Sequence, residues 1–215
     1  HERLAPRLRR RLLAISPATI DRLLRPVRVS LGPRGRSLTR PGSLLREQIP
    51  VRAEPWDTDR PGFLEADTVA HCGESLAGDF IWSITYTDIA SGWTQCRATW
   101  NRGAAGVVDQ TRQVEAELPF AVLGFDCDNG GEFLNQHLLR HFSQRAAPVA
   151  FTRSRPYHKN DQAYVEQKNW THVRQLVGYV RLDRPELVER LNALYTQWGL
   201  LLNFFCPNLK LREKS

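Results

Sequence analysis

The sequence predicts an α/β protein: a mixed five-stranded sheet flanked by helices, preceded by a short helical segment and an Arg-rich linker. Three observations carry that prediction. From Gly62 onward, three segments rich in β-branched and aromatic residues follow one another with short turns between them. Two more short apolar segments then alternate with amphipathic stretches, the βαβα pattern that packs helices on a sheet. The charge is also uneven. Residues 1–60 hold 14 Arg and no Lys against 6 acids, whereas residues 61–215 hold 16 Lys plus Arg against 17 acids.

The elements follow in order. In "ISPATIDRLLRP", Ser16 is a good N-cap, Pro17 suits the first helical position, and Pro26 ends the helix. With "LRRRLLAI" before it, this segment (1–28) reads either as part of a helix-turn-helix that exposes Thr19, Asp21 and Arg22, with Arg22 the DNA-contact candidate, or as an ordinary short amphipathic helix. Residues 29–60 are rich in Gly, Pro, Ser and Arg and keep no periodicity, which predicts a basic linker. "GFLEADTVAH", "DFIWSITYTDIA" and "WTQCRATW" are the first three strands. "GAAGVVDQTRQVEAEL" is a helix stopped by Pro119, "FAVLGFD" a buried strand, "GEFLNQHLLRHFSQR" a helix and "VAFTRS" the last strand. Two helices close the sequence, "NDQAYVEQKNWTHVRQLVGYVR" and "RPELVERLNALYTQWGLLLNFF". The core spans 61–180, with a helical extension over 181–215. Trp82, Trp93, Trp100, Trp170 and Trp198 fall on these elements and read mostly as core.

Composition narrows the function. No apolar run approaches the ~20 residues of a membrane span, which predicts no membrane partner. Cys72, Cys96, Cys127 and Cys206 are widely spaced without a CxxC pair, so reduced thiols in the cytoplasm are expected rather than a disulfide framework. The cationic N-terminal arm suits a polyanion, most simply nucleic acid. The chain starts at His1 and contains no Met, which predicts a fragment of a longer protein.

Three acids stand out by position. Asp67 lies inside the first strand, Asp128 just past the end of the fourth, and Glu166 in the first turns of the long helix. The strand order makes the first and fourth strands neighbours with that helix across their ends, so folding would gather the acids. Such a cluster repels itself unless a cation joins it. A hard divalent ion with oxygen ligands, of which Mg²⁺ is the natural choice, answers that need.

The segments "EADTVAH", "YTDIASGWTQ", "DCDNGGEFLN", "TRSRPYHKNDQAYVEQKNW" and "NFFCPNLKL" resemble the catalytic core of bacterial insertion-sequence transposases of the retroviral-integrase (DDE) type, over roughly residues 61–210. The resemblance implies an RNase H-like fold and two Mg²⁺ ions, with Mn²⁺ as the alternative. It assigns Asp67 as the acid bridging both ions, and Asp128 and Glu166 as the second and third catalytic acids. It implies cleavage at transposon ends, joining of the 3′-hydroxyl to target DNA, homo-oligomeric assembly on DNA, and a bacterial, nucleoid-associated location. Two ions ~4 Å apart can activate an attacking oxygen and stabilise a leaving one, so no protein nucleophile is required. One departure concerns the helix after Glu166. Where retroviral integrases carry lysines one and two turns on, this chain has Trp170 and Val173; Lys168 and Arg174 lie nearby as DNA-contact candidates, and Asn169 matches the family's Asn.

Several other residues have bland readings. Asp126 shares a strand side with Asp128 and reads either as a fourth acid at the site or, the favoured reading, as a strand-end acid turned to a nearby Arg; Asn129-Gly130 reads as a turn and Glu132 as the opening of the next helix. His137 and His141 have zinc-compatible spacing but no third ligand, so a packed or solvated pair is expected. The loop "TRSRPYHKN" offers Arg153, Arg155, His158 and Lys159 to phosphates and Tyr157 for stacking. Two rivals share the motifs: an RNase H-like nuclease without strand transfer, and a truncated or domesticated transposase that only binds DNA.

Overall fold

The computed structural model of the chain describes residues 10, 14–16, 19, 22–24, 26, 45, 48–52, 56, 59–155 and 162–206. The chain divides into two compact units, His1–Leu38 and Thr39–Ser215. In the first, the Thr19 N–H donates to Ser16 Oγ at 3.3 Å, the contact expected of a Ser N-cap, and residues 22–24 are helical with Arg22 exposed. Most of the expected helix-turn-helix and linker falls outside the described residues.

The second unit is built on the expected mixed five-stranded sheet. Strands β1 (Phe63–Ala70), β2 (Ile81–Asp88) and β3 (Thr94–Trp100) form an antiparallel meander. Helix α1 (Ala104–Glu117) then crosses to β4 (Gly124–Cys127), which runs parallel to β1. Helix α2 (Gln136–Ser143) leads to β5 (Ala150–Arg153), parallel to β4. The spatial order is β3-β2-β1-β4-β5, so the first and fourth strands are neighbours.

Side-chain alternation divides the sheet into two faces. Leu64 and Ala66 of β1 and Phe125 and Cys127 of β4 join the larger core, with Val107, Val108 and Val114 of α1 and Leu138 and Phe142 of α2. Phe125 sits at its centre, with ring centroids of Phe142, Phe151 and Phe133 at 4.8, 5.8 and 6.2 Å. Glu65, Asp67 and Val69 point to the opposite face. There Val69 packs with Ile81, Val173, Leu191 and Tyr195.

Three details depart from the sequence reading. Helix α2 starts at Gln136, not near Gly131, because Asn135 caps it: its Oδ1 accepts from Leu138 N–H at 2.8 Å. Asn is a stronger N-cap than Glu, so Glu132 does not open the helix and is buried instead. The long helix also changes pitch. It begins as α3 (Ala163–Lys168), widens to a π-helix over Asn169–Arg174, returns to α over Gln175–Val177 and stops at Gly178 (φ 78°). Thirdly, residues read as linker belong to the core: Ile49 is fully buried and Val51 pairs in parallel with Arg153. Hydrophobic burial and backbone pairing at the β5 edge hold this stretch where composition alone predicts a free chain.

The other sheet edge is covered by α4 (Leu187–Phe205). Asn192 bonds both backbone groups of Ala98 (2.7 and 3.1 Å), and Asn203 both of Thr94 (3.0 and 2.9 Å). Two side-chain amides thus stand in for a sixth strand and blunt an edge that would otherwise offer itself to another chain.

Candidate active site

The parallel pairing of β1 with β4 builds the site. The register sets Glu65 opposite Asp126, and Asp67 and Asp128 each lie two residues further on. The two latter acids therefore emerge side by side where the strands end, the crevice position favoured in open α/β sheets. Helix α3 passes above β1 and brings Glu166.

Asp67 and Asp128 are each half-buried and held by neutral donors. Asp67 Oδ1 accepts from Thr68 N–H and Oδ2 from the Asn169 side chain, both at 2.7 Å. Asp128 Oδ1 accepts from Gly130 N–H at 2.9 Å. Among the described residues no Lys or Arg forms a salt bridge with either acid, and the Arg102 charge acts on Asp128 from beyond contact, against the rise. Burial pushes the Asp67 carboxyl up to about 7, and the charges of Asp128 and Glu166 add to that. Burial also raises Asp128 to about 6, with Glu132 adding to it. Both acids are thus in an environment that disfavours their charge, the condition a cation would relieve.

Glu166 is exposed, within electrostatic reach of Asp67. Among the described residues, no three His, Cys, Asp or Glu side chains form a ready-made metal cage. The two aspartates offer an open, all-oxygen donor set, which suits a hard cation that takes its remaining ligands from water and phosphate.

Around this pair lies a layer that the sequence reading assigned otherwise or passed over. Glu132 is buried, accepts from Arg102 Nη1 at 2.9 Å and from Thr68 Oγ1 at 3.3 Å, and fills the space where a Cβ on Gly130 would sit, 2.6 Å away. It ties the DNG turn to β1 beside Asp67. Arg102 stacks on Trp82, 4.5 Å from the ring centre. Asp126 does face an Arg, and that residue is Arg52, 3.7 Å from its Oδ2. Glu65, which shares a strand face with Asp67, was legible from the period-2 rule in "FLEADTVA". Arg52 had no local signal.

The DNA-contact candidates separate. Arg22, in the first unit, and Arg155 are exposed. Lys168 is half-buried, and burial lowers its pKa. Arg153 turns inward, donating from Nε to Ile49 O (3.0 Å) and from Nη1 to Asn129 Oδ1 (2.9 Å). Arg174 also turns inward, to Ala70 O (3.1 Å) and Gly178 O (3.3 Å), and stacks on Tyr179. His158 and Lys159 lie outside the described residues, as does Tyr157. His141 pairs with Glu115, and His137 is exposed. Trp82 is buried, whereas Trp170 is 51% exposed and is not core.

No protein-family model matches the chain. An uncharacterized protein of Sinorhizobium fredii, y4rM, is 42% identical over 215 residues, 99% of this chain; the chain spans 60% of that relative's length. Among solved structures, a chain of the simian T-cell lymphotropic virus intasome in complex with the PP2A regulatory subunit B56 gamma matches with a TM-score of 0.56 at 13% identity, over 78% of this chain and 57% of that one. The HTLV-2 integrase catalytic core domain in complex with magnesium gives a TM-score of 0.48 at 15% identity, over 67% of this chain and 87% of its own. Strand order and flanking helices are those of the RNase H-like fold.

Proposed function

We propose that the chain is the catalytic region of a DNA transposase or integrase, a Mg²⁺-dependent polynucleotidyl transferase that cuts and joins phosphodiesters at the ends of a mobile element. The observation that carries this reading is the Asp67–Asp128 pair, side by side at the ends of two parallel strands, pushed up to about 7 and 6 with only neutral hydrogen-bond donors on their oxygens. Asp67, Asp128 and Glu166 would hold the metal, as two Mg²⁺ or Mn²⁺ ions. Such ions, when bound, activate the attacking oxygen and stabilise the leaving one.

The chain's own groups do the positioning. Asn169 orients Asp67 through Oδ2, and Gly130 N–H orients Asp128. Arg102 pairs with Glu132, and its charge offsets part of the repulsion that Glu132 exerts on Asp128. Arg22, Arg155, Lys168, His158 and Lys159 are the proposed phosphate contacts. Arg153 and Arg174 act instead on the fold, because their guanidinium groups are engaged with backbone and Asn129. Assembly of several copies on DNA accompanies this reading, supported by the likeness in fold to an intasome chain.

The test is a strand-transfer assay with Mg²⁺, using duplexes that carry the sequences flanking the chain's own coding region. The proposal expects joined products that disappear in Asp128→Asn. Hydrolysis without joining would make the chain a nuclease, and binding without cleavage an inactive DNA-binding derivative.

A further inference from the structure

We infer that Arg52 is a positioning residue for the proposed reaction: it holds the buried Glu65–Asp126 pair and, through Glu65, fixes the start of the helix that carries Glu166. The inference rests on the reading of Asp67, Asp128 and Glu166 as the metal-binding acids.

Glu65 and Asp126 face each other across β1 and β4 and are 1% and 0% exposed. Two carboxylates so placed need a compensating charge. Arg52 supplies it. Its Nη1 and Nη2 lie 3.3 and 3.4 Å from Glu65 Oε1, and Nη1 lies 3.7 Å from Asp126 Oδ2. The other oxygen of Glu65, Oε2, accepts from the Val165 backbone N–H at 3.3 Å. Val165 is fully buried and directly precedes Glu166. The carboxylate of Glu65 is therefore a joint, with the guanidinium on one oxygen and the first turn of α3 on the other.

Arg52 is itself fixed by the stretch that delivers it. Its N–H donates to Arg153 O, and Arg153 N–H donates to Pro50 O, each at 3.0 Å. Its guanidinium also lies over Trp56, 5.2 Å from the ring centre. Arg153 extends the same stretch to the other side of the site, through Nε to Ile49 O and Nη1 to Asn129 Oδ1, beside Asp128. Residues 49–52 thus reach both the helix of Glu166 and the turn of Asp128.

A joint of this kind gives direction more than stability. Apolar residues could fill the same space at equal or lower free-energy cost. They could not accept the Val165 N–H in one fixed orientation. Loss of Arg52 leaves two repelling acids beneath the helix start, and a displacement of about 1 Å at the reacting groups is worth on the order of 10²-fold in rate.

The experiment uses the full chain with Arg52→Gln and Arg52→Lys. Hydrogen exchange is followed in the peptide containing Val165 and Glu166, alongside single-turnover joining and duplex affinity. Arg52→Gln should speed exchange at this helix start by roughly 10-fold and slow joining on the order of 10²-fold. Duplex affinity should stay within about twofold, since no phosphate contact is removed. Arg52→Lys keeps the charge but not the fork, and should fall between wild type and Arg52→Gln on both scales. If Arg52→Gln does not fold, Arg52→Lys decides by the same two readouts. Unchanged exchange at Val165–Glu166, or loosening spread evenly through the chain, overturns the inference. Should wild type neither cleave nor join DNA, the proposed function fails, and local exchange still decides whether Arg52 sets the helix start.

Discussion

Two pairs of acids lie one step apart on the same two strands and meet opposite fates. Glu65 and Asp126, deeper along β1 and β4, are closed over by the Arg52 guanidinium. Asp67 and Asp128, at the strand ends, take hydrogen bonds only from neutral donors, with Arg102 acting on Asp128 from beyond contact. Desolvation raises Glu65 to about 7 despite Arg52, and raises Asp67 to about 7 with Asp128 repelling it. The difference between the pairs is where the compensating charge comes from. The inner pair takes it from the chain; under the proposed function the outer pair would take it from a cation and the substrate phosphates.

The largest expected effect breaks the outer pair. Asp67→Asn or Asp128→Asn should reduce cleavage and joining to background while leaving the far-ultraviolet circular dichroism unchanged. Both variants should raise the metal-free melting temperature, because each removes a charge the fold disfavours. Breaking the inner pair should do the reverse. Arg52→Ala leaves buried acids uncompensated and should cost about 3–5 kcal/mol in urea unfolding. A smaller effect is expected from Asn169→Ala, which frees Asp67 Oδ2. Metal affinity should fall about 10–100-fold, as for other groups that orient a ligand, with little change in stability.

The pH dependence of stability sharpens the same contrast. A carboxyl raised in the folded state binds its proton more tightly there than in the unfolded chain. Stability should therefore be highest below the unfolded value of about 4 and fall as pH rises toward 7, levelling off above it. Glu65, Asp67 and Asp128 all contribute with this sign. Mg²⁺ should flatten the fall due to Asp67 and Asp128 and leave that of Glu65; thermal melts at pH 5 and pH 8 with and without Mg²⁺ check this. The smallest effect lies farthest from the acids. Asn203→Ala should cost about 1 kcal/mol and increase self-association in sedimentation, by baring the β3 edge at Thr94.

Much of this was legible in the sequence, because strand alternation and connection order follow local rules. The neighbouring of β1 and β4 followed from the order of elements, and with it the meeting of Asp67 and Asp128. Asp126 was legible as an acid facing an Arg, but not which Arg. Arg52 comes from a stretch without periodicity, and only a tertiary contact reveals its role. Glu132 was misread because acids are common in first helical turns; the better cap, Asn135, stood three residues on. The π segment over Asn169–Arg174 leaves no trace in an amphipathic pattern read at 3.6 residues per turn, yet it lies within the helix that carries Asn169 to Asp67. Lys168, Arg153 and Arg174 were legible only as charges. Their burial and inward bonds depend on packing that charge counts do not contain.

The most direct test of the account is a calorimetric titration of Mn²⁺ into the full chain bound to duplex DNA, where substrate oxygens complete the coordination. If Asp67 and Asp128 hold the metal, binding is saturable in wild type and in Asn203→Ala and is lost in Asp67→Asn and Asp128→Asn. Equal binding in wild type and both aspartate variants would contradict it.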